Sequence, residues 1–235
     1  MIRAAALALA MTAGAAQAVC RQALILGLDI SGSVDGAEYN LQLHGLASAL
    51  TSPAVKEMAL AAPEVPVHLL VFEWSGVSLQ RVLVDWTPLT SEAAIDRIAN
   101  TLLSTRRISR KGATAIGRAM DYAEYQFRQG PDCWTRTLDL SGDGKNNDGN
   151  FPELVRQQPR FNNITINGLV IGSDVSRGRD ERQMELMELS AYYRRRVIHG
   201  PGAFIEVALG FADYARAMER KLLRELEGLV VGQLD

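Results

Sequence analysis

Five oxygen-bearing side chains, spread over three segments of the sequence, are of the types that a hard divalent cation prefers. The segment LDISGS contributes Asp29, Ser31 and Ser33, GATAIG contributes Thr114, and LSGDG contributes Asp143. Two carboxylates and three hydroxyl groups offer only oxygen, which excludes a typical zinc or copper site and favours Mg²⁺ or Mn²⁺, with Ca²⁺ ranked below them. Because only two of these ligands are negative, the ion would accept one further anionic ligand.

The first segment also permits a purely structural interpretation. Asp29 follows an apolar run and could cap the next helix, while Ser31 and Ser33 are common turn residues. With Thr114 and Asp143 following in the chain, the combined pattern favours metal binding, provided that the fold brings the three segments together.

Hydrophobic patterning predicts that strands and helices alternate along the chain. The predicted strands cover residues 23–30, 67–74, 77–86, 136–140, 164–171 and 204–209. The predicted helices cover residues 35–50, 92–104, 114–127, 152–158, 180–196 and 211–226. Such alternation is typical of a doubly wound α/β fold, in which helices cover both faces of a mainly parallel sheet. The second and third strands flank Ser75-Gly76 and predict a hairpin, which supplies one antiparallel edge strand.

The predicted sheet gives the three segments a reason to meet. In doubly wound sheets, ligands bind outside the carboxyl ends of the strands, where the strand order reverses. Asp29 and Asp143 both lie at such strand ends, and Thr114 opens a predicted helix. If the two strands are central neighbours, all five side chains converge at one edge of the sheet.

The composition is that of an ordinary globular chain. The 235 residues are 47% hydrophobic and 22% charged, and no linker-like stretch divides them, so we expect a single folded domain. The formal net charge of −2 gives no support to binding of nucleic acid.

Residues 1–18, MIRAAALALAMTAGAAQA, predict a signal peptide. Arg3 is its charged end, a small-residue apolar run follows, and Ala16-Gln17-Ala18 forms a cleavage motif. We therefore expect residues 19–235 to form the mature domain of a periplasmic or secreted protein. No apolar run in the sequence is long enough to span a membrane.

Together, the three polar segments resemble the metal-ion-dependent adhesion site of von Willebrand factor type A domains. The residues around them are similar to an uncharacterised family of exported bacterial proteins built on that domain, from about Cys20 to Glu227. The stretches that carry this similarity are LDISGSVDGAEYNLQ, FEWSG, TAIGRAM, LDLSGDGKNNDGN, ITINGLVIG and GPGAF.

The resemblance implies a fold, a site and a function. The fold is a six-stranded, mainly parallel sheet wrapped by helices. Ser31 and Ser33 bind Mg²⁺ or Mn²⁺ directly, Thr114 and Asp143 bind it directly or through water, and an Asp or Glu of a partner protein completes the coordination. We therefore expect a metal-dependent binding module of the cell envelope, not an enzyme.

A metal-dependent hydrolase of phosphate or peptide substrates is the alternative function. A phosphoryl-transfer enzyme of the haloacid dehalogenase type needs a second aspartate, two residues after the first, to carry a proton. This sequence has Ser31 at that position and therefore lacks the proton carrier. A serine hydrolase needs a base, but His44, His68 and His199 have no triad-like context and G-x-S-x-G is absent.

Several other side chains near the motifs admit two interpretations. The basic loop before Thr114 is either a solvated turn or a rim that attracts an acidic partner; it contains Arg106, Arg107, Arg110 and Lys111. Asp139 is either a strand residue near the metal or a buried partner for a nearby donor. Of Tyr192 and Tyr193, we expect at most one to be fully buried.

Cys20 and Cys133 predict a disulfide bond. An exported chain meets an oxidising environment, and Cys20 lies nine residues before Asp29 while Cys133 lies ten before Asp143. If the two strands are parallel neighbours, these similar offsets bring both cysteines to the opposite edge of the sheet, close enough for a bridge. Two unrelated thiols are the alternative.

Overall fold

Six strands alternate with helices in the computed structural model, which describes residues 20–108, 112–173 and 178–227. The strands are β1 (Cys20–Asp29), β2 (Val67–Trp74), β3 (Gln80–Pro88), β4 (Cys133–Gly142), β5 (Thr165–Ile171) and β6 (Ile205–Ala208). The α-helices are α1 (Gly36–Thr51), α2 (Pro53–Leu60), α3 (Glu92–Ser104), α4 (Ile116–Gln129), α5 (Pro152–Val155), α6 (Arg179–Tyr192) and α7 (Tyr214–Glu227). Short 3₁₀ turns cover Pro159–Phe161 and Phe211–Asp213, and a π-helical turn covers Tyr193–Val197.

The strands form one mixed sheet in the order β3-β2-β1-β4-β5-β6. All neighbouring pairs are parallel except β2 and β3, which form the antiparallel hairpin at one edge. The predicted doubly wound, mainly parallel fold with one antiparallel edge strand is therefore confirmed. β1 and β4 are central neighbours, with Cys20 opposite Cys133 and Leu28 opposite Ser141, so their carboxyl ends meet at the point where the strand order reverses.

Burial of β1 on both faces explains its continuous apolar sequence. All ten of its residues are buried. Leu24, Leu26 and Leu28 belong to the core that α1, α3 and α7 complete, whereas Ala23 and Ile25 belong to the core beneath α4 and α6. Alternate side chains of one strand thus join two cores on opposite faces of the sheet.

Three local predictions differ from the structure. Helix α2 is absent from the predicted helices; Ser52 caps it and Pro53 occupies its first turn, where a missing N–H costs nothing. The predicted helix over 152–158 ends at Val155. The predicted helix over 180–196 changes to π-helical hydrogen bonding at Tyr193.

The predicted disulfide bond joins Cys20 to Cys133 at the amino ends of β1 and β4, with the two Cα atoms 4.6 Å apart. It ties the first described strand to its central neighbour at the edge opposite Asp29. Among the described residues, no helix is long and apolar enough to cross a membrane. The predicted signal peptide, residues 1–18, lies outside the described part of the chain.

Candidate metal centre

Asp29 ends β1 and is held firmly by its neighbours. Its side chain is fully buried, and its Oδ1 accepts a 2.7 Å hydrogen bond from the backbone N–H of Ser31. Its backbone carbonyl accepts a 3.1 Å hydrogen bond from Nε2 of Gln42 on α1. Asp29 does not cap that helix, because Asp35 occupies the N-cap and forms a capping box with Glu38.

A chain of side-chain contacts connects the first motif to the third. The hydroxyl groups of Ser31 and Ser33 lie 3.2 Å apart, and Ser33 donates a 2.7 Å hydrogen bond to Oδ1 of Asp143. Asp143 directly follows β4, so its position depends on the central pairing of β4 with β1. The fold therefore brings these two predicted segments together.

Backbone contacts place Thr114 beside the same loops. Gly32 donates a 2.8 Å hydrogen bond to the carbonyl of Gly112. Thr114 donates its backbone N–H to Oδ1 of Asn147 at 2.8 Å, and the N–H of Asn147 donates to the carbonyl of Thr114 at 2.9 Å. A Cβ atom added at Gly144 would lie 3.5 Å from Oγ1 of Thr114. The third predicted segment therefore meets the other two.

The predicted metal ligands differ in their exposure to solvent. Asp29 and Ser31 are 0% exposed and Thr114 is 5% exposed, whereas Asp143 is half-buried and Ser33 is exposed. The site thus has a buried floor and an open side toward solvent.

The charges at the site suit a bound cation. Burial, followed by the negative charge of Asp143, raises the pKa of Asp29 to about 8, although the hydrogen bonds from Ser31 and the charge of Arg107 act in the opposite direction. Burial also raises the pKa of Asp143. Within the described chain, Oδ2 of Asp29 is buried without a hydrogen-bond partner. A cation between the two carboxylates would offset the repulsion between Asp29 and Asp143 and would give the unpaired oxygen of Asp29 a partner. The donor set therefore fits a hard divalent ion.

Hydroxyl groups, rather than further carboxylates, complete this donor set. Across residues 20–108, 112–173 and 178–227, no group of three or more His, Cys, Asp and Glu residues could hold a metal ion. The donor set instead combines the hydroxyl groups of Ser31, Ser33 and Thr114 with the two aspartates.

Arg107 supports the site in a way that the sequence did not indicate. Its guanidinium group donates to the carbonyls of Ile30 at 2.9 Å and Ser31 at 3.2 Å, and also to that of Val34. Arg107 therefore holds the loop that carries Ser31 and Ser33, rather than standing in a solvated turn. Arg110 and Lys111, the predicted basic rim, lie outside the described residues.

The remaining candidates lie away from Asp29. His68 and His199 pair with Ala23 and Ile166, near the amino ends of β1 and β5, and His44 is exposed on α1. Asp139 is buried in β4, with its Oδ1 3.2 Å from Nζ of Lys221 on α7, so the interpretation as a buried partner for a donor is confirmed.

The six-stranded sheet and the three converging loops define a von Willebrand factor type A fold. The chain belongs to a family described as proteins of unknown function, DUF1194, whose sequence model matches residues 19–230. None of the curated proteins matches the chain.

Solved structures of distant proteins share the fold. A von Willebrand factor type A protein from Catenulispora acidiphila is 18% identical with a TM-score of 0.55, over 88% of this chain and 43% of that one. Proximal thread matrix protein 1 from the mussel byssus, with a zinc-occupied MIDAS motif, is 15% identical with a TM-score of 0.56, over 88% and 46%. The pilus adhesin SpaC from Lactobacillus rhamnosus GG is 12% identical with a TM-score of 0.53, over 90% and 30%. The chain spans less than half the length of each.

Proposed function

We propose that this protein is a metal-dependent binding module that captures an Asp or Glu side chain of a partner protein. The observation that carries the proposal is the convergence of two carboxylates and three hydroxyl groups on one edge of the sheet, linked by the hydrogen bond from Ser33 to Asp143. Similar folds in an adhesin and in a protein with a zinc-occupied MIDAS motif support it.

The bound ion would be Mg²⁺ or Mn²⁺, held by Ser31 and Ser33 with Thr114 and Asp143, above the buried carboxylate of Asp29. The ion supplies a positive charge that attracts a carboxylate. Only two of the five protein ligands are negative, so the site retains affinity for another anion. The exposed position of Ser33 gives a partner's side chain access to the ion.

The place of action that we propose is the periplasm or the outside of the cell. Residues 1–18 have the pattern of a signal peptide. The disulfide bond between Cys20 and Cys133 suits an oxidising compartment, and one of the similar structures is a pilus adhesin.

Calorimetric titration with Mn²⁺ tests the metal site. The wild-type chain should bind one Mn²⁺, and Asp29→Ala should abolish binding because it removes one of only two anionic ligands. Asp35→Ala is the matched control, since Asp35 is a nearby aspartate that caps α1, and it should retain the wild-type affinity. Equal Mn²⁺ affinity in wild type and Asp29→Ala would overturn the site assignment.

A capture experiment tests the binding function. Immobilised protein should retain a partner from envelope extract in Mg²⁺ and release it in EDTA, and Thr114→Ala should retain less of it while unfolding at nearly the same urea concentration. A partner that stays bound in excess EDTA would contradict capture through the ion. Metal-dependent turnover of p-nitrophenyl phosphate or a generic peptide would instead support the hydrolase.

A further inference from the structure

A buried tyrosine approaches the candidate metal centre from inside the protein. Tyr193 is 0% exposed and begins the π-helical turn that follows α6, where its carbonyl accepts a 3.1 Å hydrogen bond from the N–H of Ile198. Single π-helical turns are rare and occur frequently at functional sites. Its neighbour Tyr192 packs against the ring in a T-shaped arrangement, with the ring centres 6.2 Å apart.

Two glycines on neighbouring strands make room for the Tyr193 side chain. A Cβ atom added at Gly168 on β5 would lie 2.7 Å from Cδ1 of the ring, and one added at Gly142, the last residue of β4, would lie 2.4 Å from the hydroxyl oxygen. Both distances are too short for any larger residue. The phenol therefore extends across β5 and β4 toward the end of β1.

The hydroxyl group of Tyr193 and the carboxylate of Asp29 flank the same narrow gap. The Cβ atom added at Gly142 would also lie 3.1 Å from Oδ2 of Asp29. In the described part of the chain, both this oxygen and the Tyr193 hydroxyl are buried without a hydrogen-bond partner. Buried donors and acceptors are rarely left unpaired. The Tyr193 hydroxyl group and Oδ2 of Asp29, which lie on either side of Gly142, are therefore expected to act together.

The charges around the phenol keep it protonated. Burial raises the pKa of Tyr193 well above its usual range, and the negative charges of Asp29 and Asp143 raise it further. A protonated hydroxyl group at the gap beside Gly142 can act as a hydrogen-bond donor toward Oδ2 of Asp29.

We propose that Tyr193 is a positioning residue of the metal centre, whose hydroxyl group donates a hydrogen bond to Oδ2 of Asp29, directly or through one water molecule. This inference rests on the proposed metal-binding function. Oδ1 of Asp29 is already held by the N–H of Ser31, so a second donor on Oδ2 would fix the carboxylate plane and keep its charge directed at the ion. Such outer partners commonly set metal affinity.

Tyr193→Phe removes the hydroxyl group and retains the ring. Tyr214→Phe is the matched control, because Tyr214 is equally buried and its hydroxyl lies 3.2 Å from Oγ of Ser141. Mn²⁺ affinity is measured by calorimetry, and urea unfolding is followed in EDTA. Tyr193→Phe should weaken Mn²⁺ binding about tenfold without lowering the urea midpoint in EDTA. Tyr214→Phe should lower the midpoint and leave the affinity within about twofold.

The two proposals fail in different ways. If wild type binds Mn²⁺ and Tyr193→Phe binds it equally well, the positioning role is overturned and the metal site stands. A lower urea midpoint for Tyr193→Phe in EDTA, with wild-type affinity per folded molecule, would assign the hydroxyl group to stability and also overturn the role. If the wild-type chain binds no Mn²⁺, the metal site fails and the role of Tyr193 fails with it.

Discussion

The guanidinium group of Arg107 lies 5.8 Å from the ring centre of Tyr39, which connects the loop before Thr114 to helix α1. Tyr39 in turn donates a 2.8 Å hydrogen bond from its hydroxyl group to Glu73 on β2, and Glu73 pairs with Arg81 on β3 at 2.8 Å. Arg81 donates a 3.1 Å hydrogen bond to the carbonyl of Arg106. The loop around Arg107 therefore contacts α1 and β3 directly, and Glu73 on β2 joins those two contacts.

Arg107→Ala should weaken both the fold and metal binding. The change leaves the carbonyls of Ile30, Ser31 and Val34 without their shared donor, which we expect to cost about 1–3 kcal/mol of unfolding free energy and several-fold in Mn²⁺ affinity. Arg106→Ala is the control, since the Arg106 side chain is exposed and should be neutral. Urea unfolding and Mn²⁺ calorimetry measure the two effects, and similar values for both variants would contradict the role of Arg107.

Gly142→Ala should fill the gap between Tyr193 and Asp29. The new methyl group would lie 2.4 Å from the Tyr193 hydroxyl oxygen, and overpacking of this kind costs about 1–3 kcal/mol. Mn²⁺ affinity should fall as well. Gly36→Ala, at the start of α1, has no atom within 4 Å of its new Cβ and should be neutral or slightly stabilising. Thermal unfolding of the two variants gives the comparison, and an unchanged melting temperature for Gly142→Ala would contradict the expectation.

Cys133→Ser should lower the unfolding free energy by about 2–5 kcal/mol, because the bridge restrains a long loop of the unfolded chain. Urea unfolding of the oxidised wild type and of Cys133→Ser tests this. Cys20→Ser should give the same loss, and the double variant no more than either single change. A clearly larger loss in the double variant would show that the thiols act independently of the bridge.

Asp139→Asn should change how stability depends on pH. Burial raises the pKa of Asp139 to about 7, with Lys221 opposing the rise and Glu225 adding to it. Between about pH 4 and pH 7 the folded chain therefore holds a proton that the unfolded chain has lost, and this stabilisation disappears as pH rises. From pH 5 to pH 8, wild type should lose about 1–3 kcal/mol relative to Asp139→Asn. Urea unfolding at each pH measures the free energy of unfolding. An equal change in this free energy for the two proteins between pH 5 and pH 8 would contradict the expectation.

Local patterns predicted the doubly wound fold, and they predicted the convergence of the site on the condition that the strands before Asp29 and Asp143 are central neighbours, which they are. The apolar run of β1 and the polar residues directly after it signalled a central strand whose carboxyl end faces a ligand. The similar offsets of Cys20 and Cys133 from their aspartates then followed from the pairing of two parallel strands.

Arg107 and Tyr193, which lie beside the candidate metal centre, had no such local signal in the sequence. The contacts of Arg107 join it to Ile30 and Ser31, 77 and 76 residues away in the chain, and no spacing in the sequence indicates such a distance. Tyr193 reaches the site because two glycines distant in the sequence, Gly142 and Gly168, leave space for its side chain. Helix α2 was missed because its proline, Pro53, would break a helix interior but is tolerated in the first turn.

The central position of β1 has a consequence for folding. Its partner β4 follows by 113 residues, from Cys20 to Cys133, and pairing of such distant segments makes folding slow. At a synthesis rate of roughly 5–20 residues per second, β4 leaves the ribosome about 6–23 s after β1. Throughout that interval β1, which is buried along its whole length in the folded protein, lacks a neighbour on one side. We therefore expect the nascent chain to aggregate readily and to depend on a chaperone until its second half is complete.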